Sequence, residues 1–508
     1  MINTETSMCP HRAGPLYYVL ALAAALFCAA LLMPSDRSLW TDEGYSAMNA
    51  RPDRLRDWCQ EFKSETMYDP LKPLHGFSVW IFSKVTGDSE IALRRQNWVW
   101  LTMGVVALGW MGWRTRLTVL PYLFLAHPFV WYYMDEVRPY AMQLGSGALL
   151  VASGYGLLAS EGRSRLAWLS ITIGALILSG SSMLGGFISA FSLFVGVVVF
   201  IWKRWKVPRF GWVTLLFYLL SQGLWLVYYI WRLSGLESGG AKQWSVGWMN
   251  SAYAMYEMLG LGAFGPEREF LRETLKNKGL DAGLKLFETP VFFLGGALLL
   301  VSWLAALVIL WRGVRKGRVG VNGVMGWGGC SLLLLASLAL VGCSWWVGWP
   351  FWGRHLAGLL PLGLALLAAG WLAPGGRWAL LVLSGSLLLG SIQMRFVHSS
   401  AREDHRTAAR LALDTYGQGE VVWWLAVRHT ATYYGLPLGE YDKKFICGPN
   451  NVRNFMRANP AIRPRLVVLN RPDINDPEGE ITAWLLKEGY ESDKKVNGFT
   501  IYRKPSPP

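Results

Sequence analysis

Two adjacent carboxylates, Asp42 and Glu43, stand in Leu39-Trp-Thr-Asp-Glu-Gly-Tyr-Ser46, eight and nine residues after an apolar run that ends at residue 34. A carboxylate near a bilayer is unfavourable unless it pairs or faces water, so the pair reads as functional. Asp42 suits a general base toward a hydroxyl, and Glu43 suits orienting it or binding a cation. The same spacing also fits a helix start, with Thr41 or Asp42 as the cap and Glu43 complementing the dipole. A second cluster, Tyr132-Tyr-Met-Asp-Glu-Val-Arg-Pro-Tyr140, puts Asp135, Glu136 and Arg138 between two apolar runs. An arginine there either pairs with a neighbouring carboxylate or grips a phosphate bidentately. In Asp69-Pro-Leu-Lys-Pro-Leu-His75, Lys72 fits a phosphate ligand or a snorkelling interface lysine, and His75 fits a satisfied polar residue better than a metal ligand. In Trp349-Pro-Phe-Trp-Gly-Arg-His-Leu-Ala-Gly358, Arg354 and His355 lie near the end of another apolar run. An arginine at that depth needs an anion, either a lipid phosphate or a carboxylate, and the tryptophans also fit an interfacial belt.

The elements that position these residues are read from composition. Of 508 residues, 53% are hydrophobic and 16% charged, with a mean hydropathy of +0.27. An average soluble domain carries about 25% charged residues. Disordered chains, small disulfide scaffolds and ordinary soluble enzymes are excluded. Apolar runs of spanning length recur at 14–34, 96–113, 117–134, 139–158, 166–182, 184–202, 211–231, 291–311, 323–345, 351–371 and 377–394. The first is too long for a signal-peptide core and reads as a retained span.

Basic loops at Arg114–Arg116, Arg163–Arg165, Lys203–Lys206 and Arg312–Arg318 are placed in the cytoplasm by the positive-inside rule. Eleven spans follow, with the N-terminus inside and the C-terminus outside. The segment 73–86 is too short to span and reads as a helix at the interface. This leaves Arg94 and Arg95 outside, one violation in place of four. All four chemical clusters then share the outer face. The formal charge of +15 is assigned to loops and anionic lipid; no basic stripe of nucleic-acid type is present, so nucleic acid is excluded as a partner.

The expected architecture is a polytopic α-helical membrane domain, 1–394, with outer loops 35–95 and 232–290, followed by an extracytoplasmic α/β domain, 395–508. In the tail, Arg402–Thr415 reads as an amphipathic helix, Glu420–Trp424 and Arg465–Leu469 as buried strands, Ile481–Glu488 as a helix and Phe499–Tyr502 as a last strand. Cys28, Cys330 and Cys343 read as packing residues, and a Cys59–Cys447 disulfide is left open. Carboxylates with cations on one membrane face suit a lipid-linked phosphate substrate, the cations holding the phosphate and a carboxylate activating a nucleophile. No phosphate-binding glycine loop is present.

At these residues the chain resembles membrane glycosyltransferases of the GT-C fold. It is similar to bacterial relatives of the dolichyl-phosphate-mannose protein mannosyltransferases and the lipid A aminoarabinose transferases. The resemblance rests on Trp40-Thr-Asp-Glu43, Lys72-Pro-Leu-His75, Gly87 to Arg94, Tyr132 to Ala141, Arg354-His355 and the tail start Arg402–Arg410. It implies a polyprenyl-phosphate-sugar donor and inverting transfer of a hexosyl or pentosyl group to a glycan, lipid or protein acceptor at the outer face. It implies Asp42 as the base, supported by Glu43, with Glu136 orienting the acceptor or Arg138. Lys72, Arg138 and Arg354, beside Tyr140 and His355, would hold the lipid phosphate. No cofactor is implied with certainty, and a divalent metal is left open. The bacterial inner membrane, with a periplasmic or other extracytoplasmic site, is implied as the location. A flippase or transporter for a lipid-linked sugar, or an inactive scaffold of the same fold, are the competing readings.

Overall fold

The computed structural model describes residues 15–33, 35–63, 70–235, 248–265, 290–316, 323–347, 351–397, 403–437, 444–447, 463–476 and 478–505. Two compact units divide the chain. A helical unit takes residues 1–34, 97–135 and 139–395, and a mixed unit takes 35–96, 136–138 and 396–508.

In the helical unit each of the apolar runs is mostly helical in its described residues, from Pro15–Leu32 to Gly376–Phe396. Among the described residues, six helices are long and apolar enough to cross a membrane: Tyr140–Ala159, Met183–Lys203, Arg209–Ser234, Phe293–Arg315, Gly353–Leu372 and Gly376–Phe396. The protein is an integral membrane protein. Burial ranks these helices: 72% of the apolar window of Tyr140–Ala159 is buried, against 17% for Met183–Lys203. The first is therefore central, and the second turns Phe194 and Ile201 outward. Missing side chains make close approach possible at the centre. A Cβ on Gly145 would lie 2.2 Å from the Trp100 carbonyl oxygen, and one on Gly147 2.2 Å from that of Gly358.

Two runs depart from a continuous span. Residues 117–134 form two short helices, Leu120–Ala126 and Pro128–Met134, broken at His127, whose extended backbone is what a following proline favours. Residues 351–371 open as a 3-10 helix, Gly353–Leu359, before the α-helix Leu360–Ala368. A cavity of about 150 Å³ lies within the helical unit, lined by Gly147, Gly154, Tyr155, Ile188, Gly329 and Leu362 among others, with no charged side chain among the described residues of its wall.

The mixed unit is labelled in chain order. Its first part holds α1 (Thr41–Ala47), which continues as a 3-10 turn Met48–Ala50, then α2 (Leu55–Lys63), α3 (Pro73–Thr86) and α4 (Glu90–Arg95). Its second part holds α5 (His405–Gly417), β1 (Val422–Leu425), α6 (Arg428–Tyr433), β2 (Phe445–Cys447), β3 (Leu466–Asn470), α7 (Pro472–Asn475), α8 (Glu480–Lys487), β4 (Glu491–Val496) and β5 (Phe499–Arg503). The sheet order is β2-β1-β3-β5-β4. β1 is parallel to β2 and β3, with Val422 opposite Phe445 and Leu466, and β5 is antiparallel to β3 and β4.

Both faces of the sheet are covered, which is why β1 and β3 are apolar without alternation. Val422 and Trp424 pack with Ala408, Ala409 and Ala412 of α5. Trp423 and Leu425 pack on the other face with Ile481 and Leu485 of α8. The helix α3, as expected from its sequence, has 14 residues. At 1.5 Å per residue it is about 21 Å long, short of a 30 Å hydrocarbon core. Its Phe77 and Trp80 rings stack, and both meet Trp58 of α2. Cys59 and Cys447 are free thiols, and Cys28 and Cys330 lie exposed on their helices instead of packing inside.

Candidate active site

Asp42 and Glu43 share the first turn of α1. The chain enters extended at Trp40, and Glu43 reaches back to the Trp40 N–H at 3.3 Å. Glu43 at this third position thus helps start the helix, so the helix-start reading holds for that residue. Successive helical residues differ by about 100° in direction, and the two carboxylates separate accordingly. Glu43 points inward and is fully buried. Arg94 of α4 grips it with both ends of its fork: Nε lies 3.0 Å from Oε1 and Nη2 lies 2.8 Å from Oε2. The Val137 N–H donates to Oε1 at 2.8 Å. Arg94, itself 2% exposed, donates its remaining protons to the carbonyls of Ser35, Arg37 and Ser38. Such a buried pair persists because every lone pair and N–H finds a partner. Glu43 is therefore a scaffold group, and the geometry does not offer it as a cation ligand. Arg94, counted in the sequence as a misplaced outer charge, is neutralised in the interior.

The Asp42 side chain keeps 28% exposure. Arg138 braces it: Nη2 lies 3.6 Å from Asp42 Oδ2, while Nη1 donates to the Asp42 carbonyl at 2.9 Å and reaches Ser46 Oγ at 3.5 Å. The predicted phosphate-gripping arginine thus holds the predicted base. Glu136, 1% exposed, supplies the carbonyl that accepts from the Arg138 N–H at 2.8 Å. Lys72 caps α3, the helix packed on α1 and its 3-10 turn, and His75 one turn on is buried. Asp69 lies outside the described residues. The mixed unit therefore holds Asp42, Glu43, Lys72, Glu136 and Arg138, with Asp42 and Arg138 in direct contact.

Tyr140, Arg354 and His355 form a separate group in the helical unit. The Arg354 guanidinium lies 5.8 Å from the centre of the Tyr140 ring. His355 Nδ1 accepts from the Trp352 N–H at 3.2 Å, and Glu257 accepts from the Gly353 N–H at 2.8 Å. Asp135 belongs to this unit also.

Sequence reasoning missed the tail's part in the α1 site. Glu403 Oε2 accepts from the Thr41 Oγ1–H at 2.7 Å and the Thr41 N–H at 3.3 Å, and lies 3.0 Å from His405 Nε2. Burial pushes the Glu403 carboxyl up, but hydrogen bonding and charge from His405, with the Thr41 bond and Arg471, outweigh it and hold it below the usual range. Arg406 bonds Glu90 and Asp36, and Tyr434 bonds Glu90 and accepts the Leu39 N–H at 2.8 Å. The His429 ring of α6 meets Tyr45 edge-on at 4.3 Å. No signal joins residues some 360 positions apart. The tail-start motif quoted above marked the right segment without saying what it touches. Among the described residues, no group of three or more His, Cys, Asp or Glu is placed to hold a metal ion.

This arrangement of a multi-helix membrane unit and a mixed unit is the GT-C fold. A crystal structure of ArnT from Cupriavidus metallidurans bound to undecaprenyl phosphate matches 96% of this chain and 97% of its own, at 13% identity and a TM-score of 0.54. Archaeal oligosaccharyltransferase AglB from Archaeoglobus fulgidus, in complex with an inhibitory peptide and a dolichol-phosphate, matches 96% of this chain and 74% of its own, at 10% identity and a TM-score of 0.45. Arabinofuranosyltransferase AftD from Mycobacteria matches 97% of this chain and 40% of its own, at 12% identity and a TM-score of 0.43. No family model and no curated protein matches the sequence.

Proposed function

We propose that the protein is an inverting glycosyltransferase that moves a sugar from a polyprenyl-phosphate-sugar to an acceptor hydroxyl at the outer face of a bacterial inner membrane. The observation that carries this reading is the division of labour within α1: Glu43 is buried against Arg94, while Asp42 next to it keeps solvent access and stands against a cation. Asp42 takes the proton of the acceptor hydroxyl. The oxygen forms a bond to the anomeric carbon on the face opposite the phosphate, and the carbon–oxygen bond to the phosphate breaks. The electron pair leaves with polyprenyl phosphate, whose growing charge Lys72 and Arg138 stabilise. Arg354 is a further proposed phosphate ligand, with Tyr140 holding its plane and His355 beside it. Glu136 orients Arg138 through the turn they share. The eleven-span topology with an outer site belongs to the same reading. An isoprenoid carrier suits the uncharged cavity among the helices, and ArnT, whose fold this chain shares, has been crystallised with undecaprenyl phosphate.

The test is purified protein in lipid, given a mixed polyprenyl-phosphate-sugar extract and envelope acceptors. Mass spectrometry follows loss of each donor and release of polyprenyl phosphate. Depletion of one donor by wild type and not by Asp42→Asn is expected. Turnover retained by Asp42→Asn removes the base assignment. Donor binding without turnover in wild type overturns the transferase in favour of a transporter or scaffold.

A further inference from the structure

The parallel strands of the tail point at α1. In open α/β sheets the crevice beyond the carboxyl ends, where strand order reverses, is the usual binding edge. Here the order β2-β1-β3 puts that reversal between β1 and β3. The residues that follow these strands are Arg428, His429 and Thr430 after β1 and Arg471 after β3. His429, Thr430 and Arg471 lead to the helix that bears Asp42. His429 meets Tyr45 edge-on. Thr430 lies so close to Gly44 that a Cβ there would sit 2.4 Å from its hydroxyl oxygen. Arg471 Nη1 lies 3.9 Å from Glu403 Oε1, and Glu403 Oε2 accepts both protons of Thr41, the first residue of α1. Glu403 is in turn seated by the β4–β5 turn. Gly498 has φ +76, and a Cβ on it would lie 2.7 Å from Glu403 Cγ. The Asp404 N–H donates to the Asn497 carbonyl at 2.9 Å.

We propose that Glu403 is a positioning residue for Asp42, and that the tail uses the carboxyl edge of its sheet to fix the direction of α1. The inference rests on the assignment of Asp42 as base. A seven-residue helix has too few internal hydrogen bonds to hold its own axis. Its first turn is fixed from one side by Arg94 through Glu43 and from the other by Glu403 through Thr41. Loosening either swings the neighbouring Asp42 without removing it.

The test uses full-length protein in lipid with Thr41→Val, Thr41→Ser, Glu403→Ala and the Thr41→Val/Glu403→Ala pair. Hydrogen exchange is read in a peptide covering 39–47, with peptides of β1 and β3 as controls. Faster exchange in 39–47 alone is expected for Thr41→Val and Glu403→Ala, no further gain for the pair, and wild-type exchange for Thr41→Ser, which keeps the hydroxyl. In the donor assay kcat falls about 10- to 100-fold with donor KM unchanged, and Thr41→Ser restores it. Unchanged exchange in 39–47 overturns the proposal. So does wild-type kcat in Glu403→Ala and Thr41→Val while Asp42→Asn is inactive. Should Glu403→Ala disturb the β1 and β3 peptides, Thr41→Val, which leaves the tail intact, decides. Turnover surviving in Asp42→Asn sinks the base assignment instead, and the exchange result then still decides whether Glu403 holds α1.

Discussion

Glu43 and Arg94 hold each other in a place where neither charge is stable alone. Removing one partner of a buried pair leaves the other uncompensated, at a cost of about 3–5 kcal/mol. Arg94→Met should therefore lower the thermal midpoint of the purified protein sharply. Arg94→Met/Glu43→Gln should recover part of the loss, because no net charge is left inside. An equal midpoint for the single and double variants would show that the pair is not energetically coupled. His429 gives a pH signature of its own. Burial, then the nearby Arg428 charge, lowers its pKa from 6.5 to about 4. Between those values the unfolded chain binds a proton that the folded chain does not, so stability falls as pH drops from 6.5 toward 4. Unfolding midpoints measured across that window should fall less steeply for His429→Gln. Glu403 works in the same direction, although it is the charged form that the fold favours. Its lowered carboxyl contributes stability above the ordinary 4.5, and this is lost as pH falls through its own depressed value. The adjacency of Asp42 and Glu43 is plain in the sequence. Which of the two turns inward is not, because that depends on Arg94, 51 residues away.

Segments that bury one apolar face are legible in the sequence at the level of elements, and those that do not are silent. The apolar runs of β1, β3 and β5 and the helices α3, α5 and α8 are visible from apolar pattern alone. β2 has only three residues, and β4, Glu491–Val496, is a charged edge strand of the kind that resists mispairing and carries no apolar signal. The break at His127 is written in Pro128, but hydropathy averages over it. The contact between α1 and α6 lies beyond any local signal, since it depends on the lack of a side chain at Gly44. Gly44→Ala should overpack it by about 1–3 kcal/mol. A lowered thermal midpoint and faster exchange in 39–47 are expected, with partial recovery in Gly44→Ala/Thr430→Ala, which removes the closest atom but leaves Thr430's own carbons near 3 Å. A Gly44→Ala protein as stable as wild type would mean that α1 and α6 are not tightly packed.

At the scale of the whole molecule, the loop 35–96 and the tail fold as one body although some 300 residues, mostly membrane helices, separate them in the chain. The reason is the size of the loop's own core. Leu39, Ala47, Ala50, Val79, Leu93 and Val137 are its buried apolar cluster, four of them no larger than valine and two of those alanine, and Tyr433 and Tyr434 of the tail pack against it. A cluster of this size contributes little against the ordering of some 60 residues at roughly 1–2 kcal/mol each. Contacts with the tail add to it: Tyr434 to Leu39 and Glu90, Arg406 to Glu90 and Asp36, and Glu403 to Thr41. A chain ending after residue 396 should therefore insert its helices and lose the order of this loop. Trypsin added to the outer side of oriented vesicles should cut the truncated protein at Arg37, Arg54 and Arg56 faster than the full chain, while the membrane helices stay protected in both. Arg406→Glu in the full chain should give a milder form of the same pattern, since it breaks both ion pairs of Arg406 and sets a new carboxylate against Glu90 and Asp36. Equal protection of the loop with and without the tail would show that 35–96 folds by itself, and the tail would then have to be explained by something other than holding α1.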